Sequence, residues 1–476
     1  MTETATLIQS LKSVVGPDRV LTGEAVSRTY SSDAYSVEKF PPLAVTLPES
    51  TEEVAQVIRW CNQHQIPFTP RGAGTGLSGG AMPALGGVVI STKRLNKILE
   101  IRAEDRCLLA QSGIANTKIS QAVESFSLHF APDPSSQSVS TLGGNIAENS
   151  GGPHTLKYGV TVQHILGVTM VDSSGEICRI GGPCGLPPGF DLLSLIVGSE
   201  GTLGIVTEAW VRLTPNPQSI QTLLFSFPTI RSATESVAAI IKSGVVPAAL
   251  EMMDRHVLKA VSAAFPLDYP SGTEAMLLVE CDGSAESALA EAKMVETICL
   301  SHQALQVEWA QNAEDRARLW TARKKGIGAM GRIAPTVVTH DGVIPPSRLP
   351  EMLEYVYQVA EDLQLGVANI FHAGDGNLHP IFYFDDRIPG TIDKVVEAGE
   401  KVIGKCLELG GSVTGEHGVG VEKSSLLEMM FDQDSLNLQK QVRTVFESSQ
   451  LCNPCKVVPD AKGCIEHKVR WRGAAT

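Results

Sequence analysis

The chain has 476 residues, long enough for two or three domains, and its 43% hydrophobic and 19% charged residues are the balance of a soluble globular protein. Its 39 basic residues are outnumbered by 52 acidic ones, a formal charge of −13, with no basic run; this excludes a phosphate-tracking nucleic-acid binder. No stretch approaches the roughly 18 uninterrupted apolar residues of a spanning helix. In chain order, the opening MTETATLIQSLKSVVG reads as an amphipathic helix rather than a secretory leader. Residues 52–64 place Val54, Val57, Ile58 and Cys61 on one helical face. A short strand, IPFTPR, runs from there into a glycine cluster, and GGVVIST, CLLAQSG and HILGVTMVDSSGEICRI are further strands separated by long Gly- and Pro-rich loops. After LTPNPQS (213–219) the texture changes to two strand–helix–strand units in tandem, which predicts an antiparallel sheet with helices on one face. The ten cysteines are scattered, as suits a reducing cytoplasm, and Cys452-Asn-Pro-Cys455 has no second pair at zinc-site spacing.

The glycine cluster RGAGTGLSGG (71–80) contains the Gly74-x-Gly76-x-x-Gly79 spacing of a dinucleotide fingerprint. A Rossmann phosphate site also needs a helix opening inside that loop. Here Gly80, Pro83, Gly86 and Gly87 lead to another strand, so the NAD reading fails. A glycine-rich turn between strands can still offer bare amides to a diphosphate. PDPSS (132–136), TLGGN (141–145), ENSGG (148–152) and GSEGTLGIVTE (198–208) are four more segments where backbone could approach a ligand.

This ordered set resembles the FAD domain of the vanillyl-alcohol-oxidase/p-cresol-methylhydroxylase superfamily. The resemblance implies an α+β fold, with a two-part FAD-binding domain and an antiparallel-sheet cap over the substrate. It implies FAD contacts from Pro70, Arg71, Gly72, Ala73, Gly74, Thr75, Gly76, Ser78 and Gly79 of the first loop, and from Pro132 and Asp133 of the second. Thr141, Gly143, Gly144, Asn145, Asn149, Gly152, Glu200, Gly201, Ile205 and Asn377 complete the implied set. The first loop has no His or Cys, so the implied FAD is non-covalent.

Two further stretches carry metal-site chemistry. In FHAGDGNLHP (371–380), a hairpin turning on Gly-Asp-Gly-Asn would pair Ala373 with Leu378 and His372 with His379, setting two imidazoles on one face. GGSVTGEHGVG (410–420) offers Glu416 and His417 among glycines. A carboxylate and two imidazoles make a three-ligand site with open positions. Asp375 is a further candidate ligand, although a turn role suits it better. Upstream, Arg323 lies three residues after Trp320 and offers the planar fork that grips a carboxylate.

Trp320-x-x-Arg323-Lys324, D-G-x-I-P from Asp341, HAGDGNLHP and GEHGVG, following the FAD motifs, resemble the FAD-linked (R)-2-hydroxy-acid dehydrogenases over residues 15–460. That resemblance implies His372, His379 and Glu416 as ligands of a divalent metal, zinc or manganese, with His417 as base and Arg323 on the substrate carboxylate. It implies oxidation of a small 2-hydroxy acid, glycolate first and D-lactate as the alternative, with hydride passing to flavin and electrons to an acceptor other than oxygen. A non-catalytic flavin subunit of an electron-transfer complex is the rival of another class. Thr339 stands where the 2-hydroxyglutarate branch has lysine, which argues against a dicarboxylate substrate. Cys455 replaces the glycine of the family's Asn-Pro-Gly-Lys motif, which puts the local backbone in question. The expected domains are 1–215 for FAD, 216–425 for the cap and metal site, and a helical segment 426–476 returning to the FAD domain. Expected partners are an iron–sulfur subunit, a second flavin-domain subunit or a quinone, in the cytoplasm or peripherally on a membrane.

Overall fold

The computed structural model describes residues 3–35, 37–186, 188–263, 269–447 and 449–459. The chain divides into two units: Met1–Ser150 with Val160–Pro215 and His417–Thr476, and Gly151–Gly159 with Asn216–Glu416.

In the first unit, β1 (Val20–Leu21), β2 (Ala44–Thr46), β3 (Phe68–Arg71) and β4 (Val88–Ser91) form a sheet in the order β1-β2-β4-β3. Strands β2 and β3 both pair parallel with β4. Parallel strands need crossovers of about a dozen residues or more. Between β2 and β3 the crossover is the helix Thr51–His64, started by Ser50, whose hydroxyl accepts the Glu53 amide. Its Val54, Val57, Ile58 and Cys61 are fully buried, against Phe68, Val88 and Ile90 of the sheet. Between β3 and β4 the crossover is the glycine segment itself, with no helix, as its Pro83, Gly86 and Gly87 require.

The second sheet of this unit has the order β5 (Ile98–Arg102), β6 (Cys107–Gln111), β10 (Ile205–Arg212), β8 (Ile165–Val171), β9 (Ile177–Gly181), all antiparallel. A short ribbon pairs β7 (Leu128–His129) with β11 (Thr214–Pro215). The stretch 141–148, expected as loop, is instead the helix Leu142–Glu148; Thr141 caps it by accepting the Gly144 amide, and Leu142 and Ile146 anchor it in the core. Tertiary burial of those two side chains outweighs the helix cost of Gly143 and Gly144. Cys455 holds a left-handed backbone, φ 63°, as a glycine would, and its side chain packs with Phe40, Met82, Ala84 and Val421. It is disulfide-bonded, contrary to the all-thiol expectation from the scattered spacing, whereas Cys452 is a buried thiol.

The second unit is built on a sheet in the order β15 (Gln306–Trp309), β12 (Ser219–Phe227), β14 (Ala275–Gly283), β13 (Ala249–Asp254), β18 (Gly366–His372), β19 (Asn377–Leu378), β17 (Gly342–Val343), with β20 (Pro380–Phe384) joining β18 to β16 (Thr336–Thr339). The expectation of helices on one face is corrected: alternate residues of β12 feed two cores. Leu223, Phe225 and Phe227 meet the helices Ile230–Lys242, Ala285–Ser301, Leu349–Leu363 and Thr391–Glu408, while Leu224 faces the core of Arg255–Ser262 and Ala313–Met330. The strands are apolar on both faces, which is why they lack a polar alternation.

Candidate active site and cofactor cleft

The first unit contains a cleft where β3, its glycine loop, the helix Leu142–Glu148 and the segment before β10 converge. Of the residues implied for FAD, Pro70, Arg71, Gly72, Gly143, Gly144, Glu200, Gly201 and Ile205 line it. Ala73, Gly74, Thr75, Gly76, Ser78, Gly79, Pro132, Asp133, Thr141, Asn145 and Asn149 lie in the same unit outside that lining; Gly152 and Asn377 belong to the other unit. Several of these side chains are spent on the protein: Asn145 Nδ2 donates to Asn116 Oδ1, Asn149 Oδ1 accepts the Val162 amide, Thr141 Oγ1 accepts the Gly144 amide and the Ser78 hydroxyl donates to the His417 carbonyl. Among the described residues, no amide of residues 73–80 donates a hydrogen bond to the protein. That row of unspent donors fits a diphosphate. A side chain at Gly72 would meet Thr141 Oγ1 at 2.3 Å, and one at Gly143 would meet Ser112 at 2.7 Å, so the backbone there is bare by necessity.

Sequence reasoning missed Glu148, which also lines the cleft. It is half-buried, with its Oε2 atom buried and unpartnered, and it converges with Glu200 on Gly80, where a methyl group would come within 2.5 Å of Glu148 and 3.5 Å of Glu200. Burial, then the neighbouring Glu200 carboxylate, holds the Glu148 pKa well above the usual carboxylate range. Burial also raises Glu200 to about 6, although the Val419 and Gly420 amides donate to it at 2.6 and 2.7 Å. Asn453 and Lys456, which flank Cys455, tie this region together: Asn453 Nδ2 donates to the Gly80 and Glu200 carbonyls, and Lys456 Nζ to that of Met82.

In the second unit the structure brings His372, His379 and Glu416 together. Both imidazole Nε2 atoms lie 3.1 Å from one oxygen, Glu416 Oε1. The rings meet edge to face with centroids 5.2 Å apart. The hairpin that does this differs from the expected one. His372 pairs with Asn377, so residues 373–376 make the turn and His379 falls at the break between β19 and β20. Gly376 has φ 77°, and a side chain there would strike the Ile344 carbonyl at 1.9 Å. The glycines that make the turn tight thus change its register.

Glu416 is held from behind. Asp341, fully buried, accepts the Thr414 hydroxyl at 2.5 Å and the Gly415 and Glu416 amides at 2.9 and 3.3 Å. Ser412 exchanges two backbone hydrogen bonds with Val343, and a side chain at Gly415 would overlap Asn377. Burial opposes the His372 imidazolium, but the Glu251 and Glu416 carboxylates outweigh it and hold its pKa well above the ordinary value. Burial likewise opposes ionised Glu416, which His372 and His379 keep well below the usual range. Two imidazoles and a carboxylate aimed at one point are a donor set that could hold zinc or manganese. His417 follows Glu416 in the chain and belongs to the first unit, where its carbonyl accepts the Ser78 hydroxyl at 2.8 Å.

Arg323 is buried on the helix Ala313–Met330 rather than exposed, and its Nε donates to Glu251 Oε2. The same helix is tethered by Trp320 Nε1 and the Arg316 guanidinium, both donating to buried Glu280. Glu251 was not foreseen either. The available signal was a carboxylate inside the apolar strand AALEMM.

The family of "FAD linked oxidases, C-terminal domain" matches residues 216–457, and "FAD binding domain" matches residues 42–181. The chain belongs to the FAD-linked oxidases. Among proteins similar to this FAD-linked oxidase, glycolate oxidase subunit GlcD of Escherichia coli K12 is 40% identical over 97% of the chain and 93% of its own length. GlcD of Bacillus subtilis is 38% identical over 94% and 96%. D-lactate dehydrogenase of Anaerostipes hadrus is 32% identical over 95% and 97%. The fold is also that of p-cresol methylhydroxylase with substrate bound (TM-score 0.80, 16% identity, 97% of this chain and 98% of that one). 4-Ethylphenol oxidase from Gulosibacter chungangensis shares it too (TM-score 0.77, 18% identity, 97% and 98%). The protein is an FAD-linked oxidoreductase of the vanillyl-alcohol-oxidase/p-cresol-methylhydroxylase fold, and no helix among the described residues is long and apolar enough to cross a membrane.

Proposed function

We propose that this oxidoreductase converts glycolate to glyoxylate, with FAD held non-covalently in the cleft of the first unit and a divalent metal held by His372, His379 and Glu416. The observation that carries this reading is the convergence of two imidazole nitrogens on Glu416 Oε1, each at 3.1 Å, in a chain 40% identical to a glycolate oxidase subunit. When bound, FAD supplies a hydride acceptor and the cation a Lewis acid.

The chain's own residues do the rest. Arg323 uses Nε on Glu251, so the two terminal guanidinium nitrogens remain as a fork for the substrate carboxylate. His417 takes the α-hydroxyl proton as general base. The unspent amides of residues 73–80 and the bare backbone at Gly72 and Gly143 bind the cofactor's diphosphate and exclude bulkier contacts. The products balance: the hydroxyl loses a proton, Cα loses a hydride, and the 2-oxo acid leaves.

D-lactate is the second reading, supported by the 32% identical D-lactate dehydrogenase. Thr339, half-buried in β16 where a dicarboxylate enzyme would carry lysine, weighs against larger diacids. The word "subunit" in the relatives' names supports an assembly with further electron-carrying chains, on or near the cytoplasmic face of a membrane. The proposed domains are 1–215, 216–425 and 426–476. Turnover of glycolate, D-lactate and D-2-hydroxyglutarate with an artificial dye acceptor tests the reading. The expected order of kcat/KM is glycolate, D-lactate, then the diacid. A D-lactate value above that for glycolate transfers the assignment to the second reading, and turnover of the diacid alone overturns both.

A further inference from the structure

We propose that Glu251 is a positioning residue that holds both the substrate-gripping arginine and a metal-ligating histidine, one with each carboxylate oxygen. The inference rests on the reading of Arg323 and His372 given above. Strands β13 and β18 pair antiparallel with Glu251 directly opposite His372, so the two side chains project from the same face of the sheet. Glu251 Oε1 lies 2.6 Å from His372 Nδ1, and Glu251 Oε2 accepts Arg323 Nε. Glu251 and His372 are 0% and 3% exposed and Arg323 5%, so water does not compete for these bonds.

Each contact leaves the functional edge of its partner free for use. An ionised carboxylate only accepts, so His372 must present Nδ1–H to Glu251, and Nε2 is the nitrogen aimed at Glu416 Oε1, 3.1 Å away. A carboxylate behind a ligating imidazole fixes its tautomer and ring orientation. On the other side, the bond through Nε locks the guanidinium plane while leaving the Nη pair for a bidentate substrate carboxylate. One residue thereby sets the metal's imidazole and the substrate's fork in a fixed relation. The alternative, that Glu251 merely neutralises a buried arginine, makes a different prediction for the Glu251→Asp variant below.

The test uses full-length, FAD-loaded Glu251→Gln and Glu251→Asp, with His372→Ala as reference. Metal affinity is measured by competition of Zn²⁺ with a chromophoric chelator, and glycolate affinity by the concentration dependence of flavin reduction. Glutamine turns one accepting oxygen into a donor, so one of the two contacts must break. Aspartate keeps the buried charge, but, one methylene shorter, it cannot reach both partners. The expected result is metal affinity reduced roughly 10–100-fold in both variants, weaker glycolate affinity, and unchanged FAD content. Counter-ion duty alone predicts that Glu251→Asp retains wild-type metal affinity, and that result overturns the proposal even if Glu251→Gln does not fold. If His372→Ala also keeps its zinc, the metal reading itself fails; if His372→Ala loses zinc and Glu251→Asp does not, only the role of Glu251 fails.

Discussion

At the scale of single residues, His417 is the sharpest commitment. As a general base it accepts the α-hydroxyl proton, whereas asparagine can only hydrogen-bond there. We predict that His417→Asn slows flavin reduction by glycolate by about 10²–10⁴, with FAD and metal content unchanged and substrate affinity altered much less. Stopped-flow bleaching measures this directly, and wild-type speed would reassign the base. His372, His379 and Glu416 could be read as one cluster because three ligand residues stand in two glycine-flanked runs. Glu251 and Glu148 could not be read this way. Glu251 stands in an apolar strand and Glu148 at the head of a polar, Gly-rich run, and only the paired strand or the converging loop shows what each faces.

At the scale of elements, the absence of a helix between β3 and β4 was legible because Pro83, Gly86 and Gly87 forbid one. The helix Leu142–Glu148 was not, because two glycines mask a helix whose stability comes from buried Leu142 and Ile146. The register of the His372 hairpin was misread for a related reason: several turns are compatible with Ala-Gly-Asp-Gly-Asn, and tertiary contact with Ile344 selects one. This gives a prediction. Gly376→Ala must place a methyl group at φ 77°, 1.9 Å from the Ile344 carbonyl oxygen. The left-handed backbone alone costs about 1–2 kcal/mol for a residue with a Cβ. We expect a lower melting temperature together with weaker zinc retention, read by calorimetry and elemental analysis; a variant with both at wild-type values would show that the turn is not needed to set the two imidazoles.

At the scale of the whole molecule, the first unit holds half-buried Glu148 and buried Glu200, two carboxyls with raised pKa values. Glu148 in the cofactor cleft has a folded-state pKa raised by burial and by Glu200. Between the unfolded carboxylate value of about 4.3 and that raised value, the native state binds more protons than the unfolded state, so this group's contribution to stability falls as pH rises. Glutamine cannot ionise. In flavin-stripped protein, Glu148→Gln should therefore gain melting temperature relative to wild type at about pH 8 and gain less at about pH 4.5. Equal shifts at both pH values would mean that the Glu148 carboxyl is relieved by a cation as pH rises. Beyond the individual groups, the proposed oxidation needs both FAD and the metal proposed for His372, His379 and Glu416. The most direct test is an anaerobic titration of the FAD-loaded protein with glycolate, before and after removal of the metal by chelation. The expected result is stoichiometric bleaching of the flavin with glyoxylate formed, and its loss on metal removal with recovery when zinc or manganese is restored. Flavin that stays oxidised in the metal-loaded protein, or that bleaches equally without metal, would contradict it.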